Sequence, residues 1–192
     1  MSINTNHLES GVGLGNLLLQ KEEYKRAIKY FTFCLKSHPE NSDVLYGTAV
    51  CKFRISLMNR LDSSKVGLSV QEEEELKEQI RIQPEVQASI NFLKQSIQQT
   101  PNHLNSQRML GEIYLRLKNY DKSQQHLRKA LQINPEDPET LIWMGKYMHV
   151  TKDNKASLKY FKQAKELAPK DSRILRAMGR VYYEINDFEN SE

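Results

Sequence analysis

Residues 104–137, LNSQRMLGEIYLRLKNYDKSQQHLRKALQINPED, and residues 138–171, PETLIWMGKYMHVTKDNKASLKYFKQAKELAPKD, share one frame of 34 residues. Leu110-Gly111-x-x-Tyr114, Ser123, Leu127, Ala130 and Pro135 in the first stretch align with Met144-Gly145-x-x-Met148, Ser157, Phe161, Ala164 and Pro169 in the second. Pro101 and Gly179 extend the same 34-residue spacing in both directions. A fixed period of this length is the mark of a stacked array, because one unit alone cannot bury its apolar face. Within 104–137, Tyr120, Ser123, Leu127, Ala130 and Leu131 recur at steps of three and four, one face of a helix. Each unit therefore reads as two antiparallel helices, with small residues where they touch and a proline closing the second.

Outward from this centre, the unit at 8–41 supplies Leu14, Gly15, Leu18, Tyr24, Ala27, Phe31, Cys34 and Pro39 in the same frame. A unit opening at 172 contributes Leu175, Met178, Gly179, Tyr182 and Phe188 and is incomplete at 192. The unit at 42–103 departs from the pattern. It has Ala49 in the glycine slot, and 62 residues separate Pro39 from Pro101, 28 more than one period. An insertion at about 58–85 is expected between its helices. Residues 59–68 read as loop, Ser69 with Glu72 as a capping box followed by the acidic run 72–75, and Pro84 as a first-turn residue of the resumed helix.

These residues resemble the tetratricopeptide-repeat family, and the resemblance covers nearly the whole chain. It implies an all-α fold, a right-handed α-solenoid of helix-turn-helix repeats with a helical insertion in the second. It also implies a concave groove presented by the second, fifth, ninth, twelfth and thirteenth residues of each unit. Transferred unit by unit, the groove takes Tyr46, Val50 and Phe53 from the second, and Arg108 and Arg116 from the third. The fourth gives Ile142, Lys146 and His149, and the fifth Arg173, Arg176, Arg180 and Tyr183.

Charge follows the same division. Residues 1–103 carry 12 Lys and Arg against 12 acids, while residues 104–192 carry 16 against 12, so the net charge of +4 is all C-terminal. An extended protein segment with carboxylates and apolar anchors suits such a surface, since an arginine fork takes a carboxylate two hydrogen bonds at a time. Some members of the family grip acidic chaperone tails through a carboxylate clamp. The five clamp positions read Val12, Asn16, Gly47, Asn105 and Met109, of which Asn16 alone matches, so that mode is not expected. Nucleic acid is disfavoured by the small charge excess and the lack of interleaved aromatics.

No phosphate-binding Gly-x-x-x-x-Gly-Lys, nucleophile elbow or His-Glu-x-x-His occurs, and His7, His38, His103, His126 and His149 have no carboxylate or cysteine at ligand spacing. The expectation is a non-enzymatic scaffold without cofactor or metal. The alternatives are the targeting arm of a larger enzyme, or a helical-repeat nucleic-acid binder. Cys34 and Cys51 sit at small-residue positions and read as reduced core thiols. With no apolar run near the 18 residues or so of a membrane span and no secretory n- and h-regions, the expected location is the cytoplasm. The stripe Leu175, Met178 and Tyr182 is expected to be covered by further repeats or another subunit.

Overall fold

The computed structural model describes residues 3–61 and 84–189. Among them are nine helices and no strand: α1 (Ile3–Gln20), α2 (Tyr24–Ser37), α3 (Ser42–Leu61), α4 (Pro84–Gln99), α5 (Leu104–Arg116), α6 (Tyr120–Ile133), α7 (Pro138–Val150), α8 (Asn154–Leu167) and α9 (Ser172–Glu189). The fold is the all-α solenoid of helix-turn-helix repeats. Pro84 opens α4 as expected, whereas residues 59–61, expected as loop, continue α3 as helix. The capping box at Ser69 and the acidic run 72–75 lie outside the described residues.

Local chemistry sets the helix ends. Each second helix stops before a proline: the backbone N–H groups of His38, Asn134 and Ala168 donate to the carbonyls of Cys34, Ala130 and Ala164 at 2.8, 3.0 and 2.8 Å. The same three residues have left helical geometry, with φ of −136°, −141° and −134°, as the following proline ring demands. The tight turns inside the units use the left-handed region without glycine: Glu22, Lys118 and Lys152 have φ of 58°, 55° and 67°. One residue later, Glu23, Asn119 and Asp153 return a hydrogen bond to the carbonyl five residues back, each at 2.9 Å, closing the first helix. Asn119 and Asp153 then cap the next helix, accepting from Lys122 N–H at 3.3 Å and Ala156 N–H at 2.9 Å.

Contacts divide the chain into two bodies, residues 1–109 and 110–192, with the boundary inside α5. In the N-terminal body Phe31 of α2 is fully enclosed, and a Cβ on Gly15 or Gly47 would come within 2.6 or 2.2 Å of its ring. Phe31 thus needs a glycine from its own repeat and one from the next. Cys34 and Cys51 are free and buried, and burial pushes the Cys51 thiol up to about 12. In the C-terminal body Leu127 seats against Gly111 and Phe161 against Gly145. The Ser123 and Ser157 hydroxyls donate to the carbonyls of those two glycines, both at 2.9 Å.

Candidate protein-interaction surface

In the C-terminal body the first helices α5, α7 and α9 line a cleft of about 500 Å³. Repetition of the frame explains its composition. Glu112, Lys146 and Arg180 occupy one offset of successive units, and Glu139 and Arg173 another, so each pair or triple falls on adjacent helices at similar depth.

Trp143 forms the floor, with 7% of its surface exposed. Lys146 Nζ stands 3.9 Å from the centroid of its ring, and Arg116 Cζ 5.4 Å. Burial holds the Lys146 amine below the usual lysine range, opposed by the carboxylates of Glu112 and Glu139 and reinforced by Arg116 and Arg173. Arg116 is committed to the buried Glu112, donating from Nε to Oε1 at 3.1 Å. His149 lies between Asn154 Oδ1 at 3.2 Å and Glu184 Oε1 at 3.3 Å.

Arg173 does not present an open fork. Its Nη1 and Nη2 donate to Glu139 Oε1 and Oε2 at 3.1 and 2.7 Å, while Nε and Nη2 donate to Asp171 Oδ1 and Oδ2 at 3.0 and 2.7 Å. Those carboxylates raise its pKa and offset its charge, and Arg173 in turn holds Asp171 below the usual carboxylate range. Arg176 and Arg180 line the cleft, are exposed, and have no carboxylate within ion-pair distance among the described residues.

Of the twelve residues assigned to a groove, the structure brings Arg116, Lys146, His149, Arg173, Arg176 and Arg180 around one cleft. Tyr183 is 68% exposed on α9 but outside that lining, and Ile142, at 1%, is core. In the N-terminal body Val50 and Phe53 are also buried, at 7% and 0%, and offer a partner little side-chain surface. Tyr46 sits edge-on to His103 at 5.7 Å, and Arg108 donates to Asn105 Oδ1 at 2.9 Å. Trp143 was missed because it occupies the sixth offset of its unit. Its being the single tryptophan was the available signal.

The N-terminal body also joins an aspartate, a histidine and a serine. His103 Nε2 lies 3.1 Å from Asp43 Oδ1, and its Nδ1 lies 2.7 Å from Ser106 Oγ and accepts from Ser106 N–H at 3.3 Å. Ser106 has no exposed surface, and Ser96 Oγ stands 2.8 Å from its hydroxyl. The imidazole caps α5 and ties it to α3; an enclosed hydroxyl offers no path to a substrate.

Comparisons with known proteins agree with this architecture. Two family models, both described as tetratricopeptide repeat, match residues 12–57 and 105–137. Among curated proteins, none matches by sequence. Among solved structures, the chain is similar to MamA 41-end from Desulfovibrio magneticus RS-1 at 14% identity, covering 96% of this chain and 88% of that one, with a TM-score of 0.60. It is similar to TTC0263, a thermophilic TPR protein in Thermus thermophilus, at 18% identity, 92% and 99% coverage and a TM-score of 0.56. A tetratricopeptide repeat protein from Parabacteroides merdae gives 16% identity, 93% and 59% coverage and a TM-score of 0.60. At these identities the likeness is one of fold.

Proposed function

Because the chain belongs to the tetratricopeptide-repeat protein family, we propose that it works as a protein-interaction scaffold, taking up an acidic segment of another protein in the cleft of its C-terminal body. The observation that carries the proposal is the grouping of Lys146, Arg176 and Arg180 about the floor of Trp143, with no carboxylate at ion-pair distance from any of the three among the described residues. A partly desolvated ammonium with no carboxylate in direct contact gains more from an incoming carboxylate than a solvated one does. Val150, 44% exposed in the lining, adds apolar surface for an anchor residue beside the charge.

The same geometry favours a peptide over a nucleic acid. Single strands are held by bases stacked on open aromatic faces, and Lys146 already stands against the ring of the mostly enclosed Trp143. No helix among the described residues is long and apolar enough to cross a membrane. Two buried free thiols fit a reducing compartment, and we place the protein in the cytoplasm on that ground. The role requires no catalysis by this chain.

Fluorescence anisotropy with labelled peptides carrying an aromatic residue between glutamates tests the proposal. Binding should weaken with salt and fall at least tenfold when the glutamates become glutamines. Equal binding by the glutamine versions overturns it.

A further inference from the structure

Two of the seven described glycines, Gly13 and Gly179, have no heavy atom within 4 Å of where a Cβ would stand. Each of the other five lies under 3.0 Å from a side chain that needs the space, as Gly145 does from Phe161. Glycine within an exposed helix face weakens the helix and is useful where another helix must come close. Gly13 and Gly179 have that property with no element of the described residues against them.

Their surroundings correspond. On α9, Ile174 and Val181 are fully buried, while Leu175 and Tyr182, flanking Gly179 four residues before and three after, are 51% and 43% exposed. On α1, Leu18 is buried, while Leu14 and Leu17, beside Gly13, are each 47% exposed. On α9 the glycine opens a notch between Leu175 and Tyr182, with Arg176 three residues before it, and on α1 Leu14 and Leu17 form an exposed apolar ridge, with Glu9 four residues before Gly13. Ser10 and Leu14 also repeat the serine and large residue by which second helices close on first helices in this chain, Ser123 and Leu127 on α6 and Ser157 and Phe161 on α8, whereas Leu17 stands where those helices have Ala130 and Ala164. In both of those the serine bonds to the glycine carbonyl and the large side chain fills the notch.

We propose that the α9 face of one copy receives the α1 face of a second copy, with Leu14 and Leu17 against Gly179 and with Leu175 and Tyr182 closing over Gly13. The contact is heterologous: each copy keeps one face free, so association continues beyond two chains. Four half-exposed side chains on single helices fall short of the area of a permanent interface, so assembly is weak and concentration-dependent.

Light scattering coupled to size exclusion on the 192-residue chain, from about 5 to 500 μM, reads this directly. The wild type should rise in mass with concentration. Leu14→Arg with Leu17→Arg blocks one face and Gly179→Arg the other, so each variant should stay near the monomer mass of 22.4 kDa. An equimolar mixture of the two should form a dimer, since each retains the face the other lacks. Gly179 faces open space among the described residues and Leu14 and Leu17 are half exposed, and circular dichroism verifies folding; Tyr182→Glu replaces Gly179→Arg if that variant melts early. A wild type monomeric throughout, variants that associate alone, or a mixture that stays monomeric each overturns the proposal. The first outcome leaves these faces without a second copy on them, variants that associate alone mean that each face pairs with itself or that association uses another surface, and a monomeric mixture means that the two faces do not meet.

Discussion

Arg173 of α9 reaches back one full repeat to Glu139 of α7, its two terminal nitrogens lying 3.1 and 2.7 Å from the two carboxylate oxygens. This removes one cation from the cleft while leaving Arg176 and Arg180 to act. Glu139→Gln should therefore free part of the Arg173 charge and tighten acidic-peptide binding two- to fivefold. Because Arg173 is half exposed, the stability change should stay under about 1 kcal/mol. Urea melts and anisotropy titrations on the one variant check both. Weaker binding with unchanged stability would mean that Glu139 itself contacts the ligand.

The two kinds of glycine should respond oppositely to one methyl group. A Cβ on Gly145 meets the enclosed Phe161 ring at 2.6 Å, so Gly145→Ala should lose about 1–3 kcal/mol. Gly179 has open space, so Gly179→Ala should gain up to about 1 kcal/mol from helix propensity alone. Ala130→Leu and Ala164→Leu, at fully buried contacts, should behave like Gly145→Ala. Thermal melts of the four variants separate the cases, and a neutral Gly145→Ala would show that Phe161 can move aside.

The close approach at Gly111 and Gly145 was legible because small residues recur there at the 34-residue period, and the structure adds that Leu127 and Phe161 of the same units fill the space. The use of Gly47 by Phe31 crosses between repeats and depends on how helices stack, which the period does not encode. The five groove offsets specify a face of a helix but not its depth, so they took in the buried Val50, Phe53 and Ile142 and passed over Trp143 at the sixth. The clasp of Asp43 on His103 joins residues 60 apart across an irregular unit, and no local spacing announces it.

Lys118 and Lys152 turn the chain in the left-handed region at φ of 55° and 67°. That conformation costs a side-chain-bearing residue roughly 1 kcal/mol relative to glycine. Greater freedom of glycine in the unfolded chain takes part of the gain back. Lys118→Gly and Lys152→Gly should each stabilise by about 0.5 kcal/mol in chemical denaturation, and a loss would show that the lysine stems pack on the turn.

The Asp43 carboxylate is held below its ordinary 3.8 chiefly by the hydrogen bond from His103. A depressed acid stabilises the fold fully above its unfolded value and loses that contribution as pH falls through its folded one. Wild type should therefore exceed Asp43→Asn in stability at about pH 6, and the two should converge below about pH 3. The side chain is 62% exposed, so solvent screening keeps the difference under about 1 kcal/mol. A gap independent of pH would place its origin in packing.

Lys146 is where stability and binding should part most clearly. Burial against Trp143 lowers its pKa, so its charged form is disfavoured in the folded chain, and Lys146→Met should keep the apolar stem while removing that cost. The melting temperature should hold or rise. Acidic-peptide affinity should fall about tenfold, equivalent to about 1.4 kcal/mol, because the least solvated cation of the cleft is gone. In the wild type, a bound carboxylate favours the ammonium form, so peptide binding at about pH 9 to 10 should take up protons, measurable by calorimetry in buffers of different ionisation enthalpy. Lys146→Met should abolish that uptake. Uptake that persists in the variant would assign it to another group, and an undiminished affinity would place the acidic segment away from Trp143.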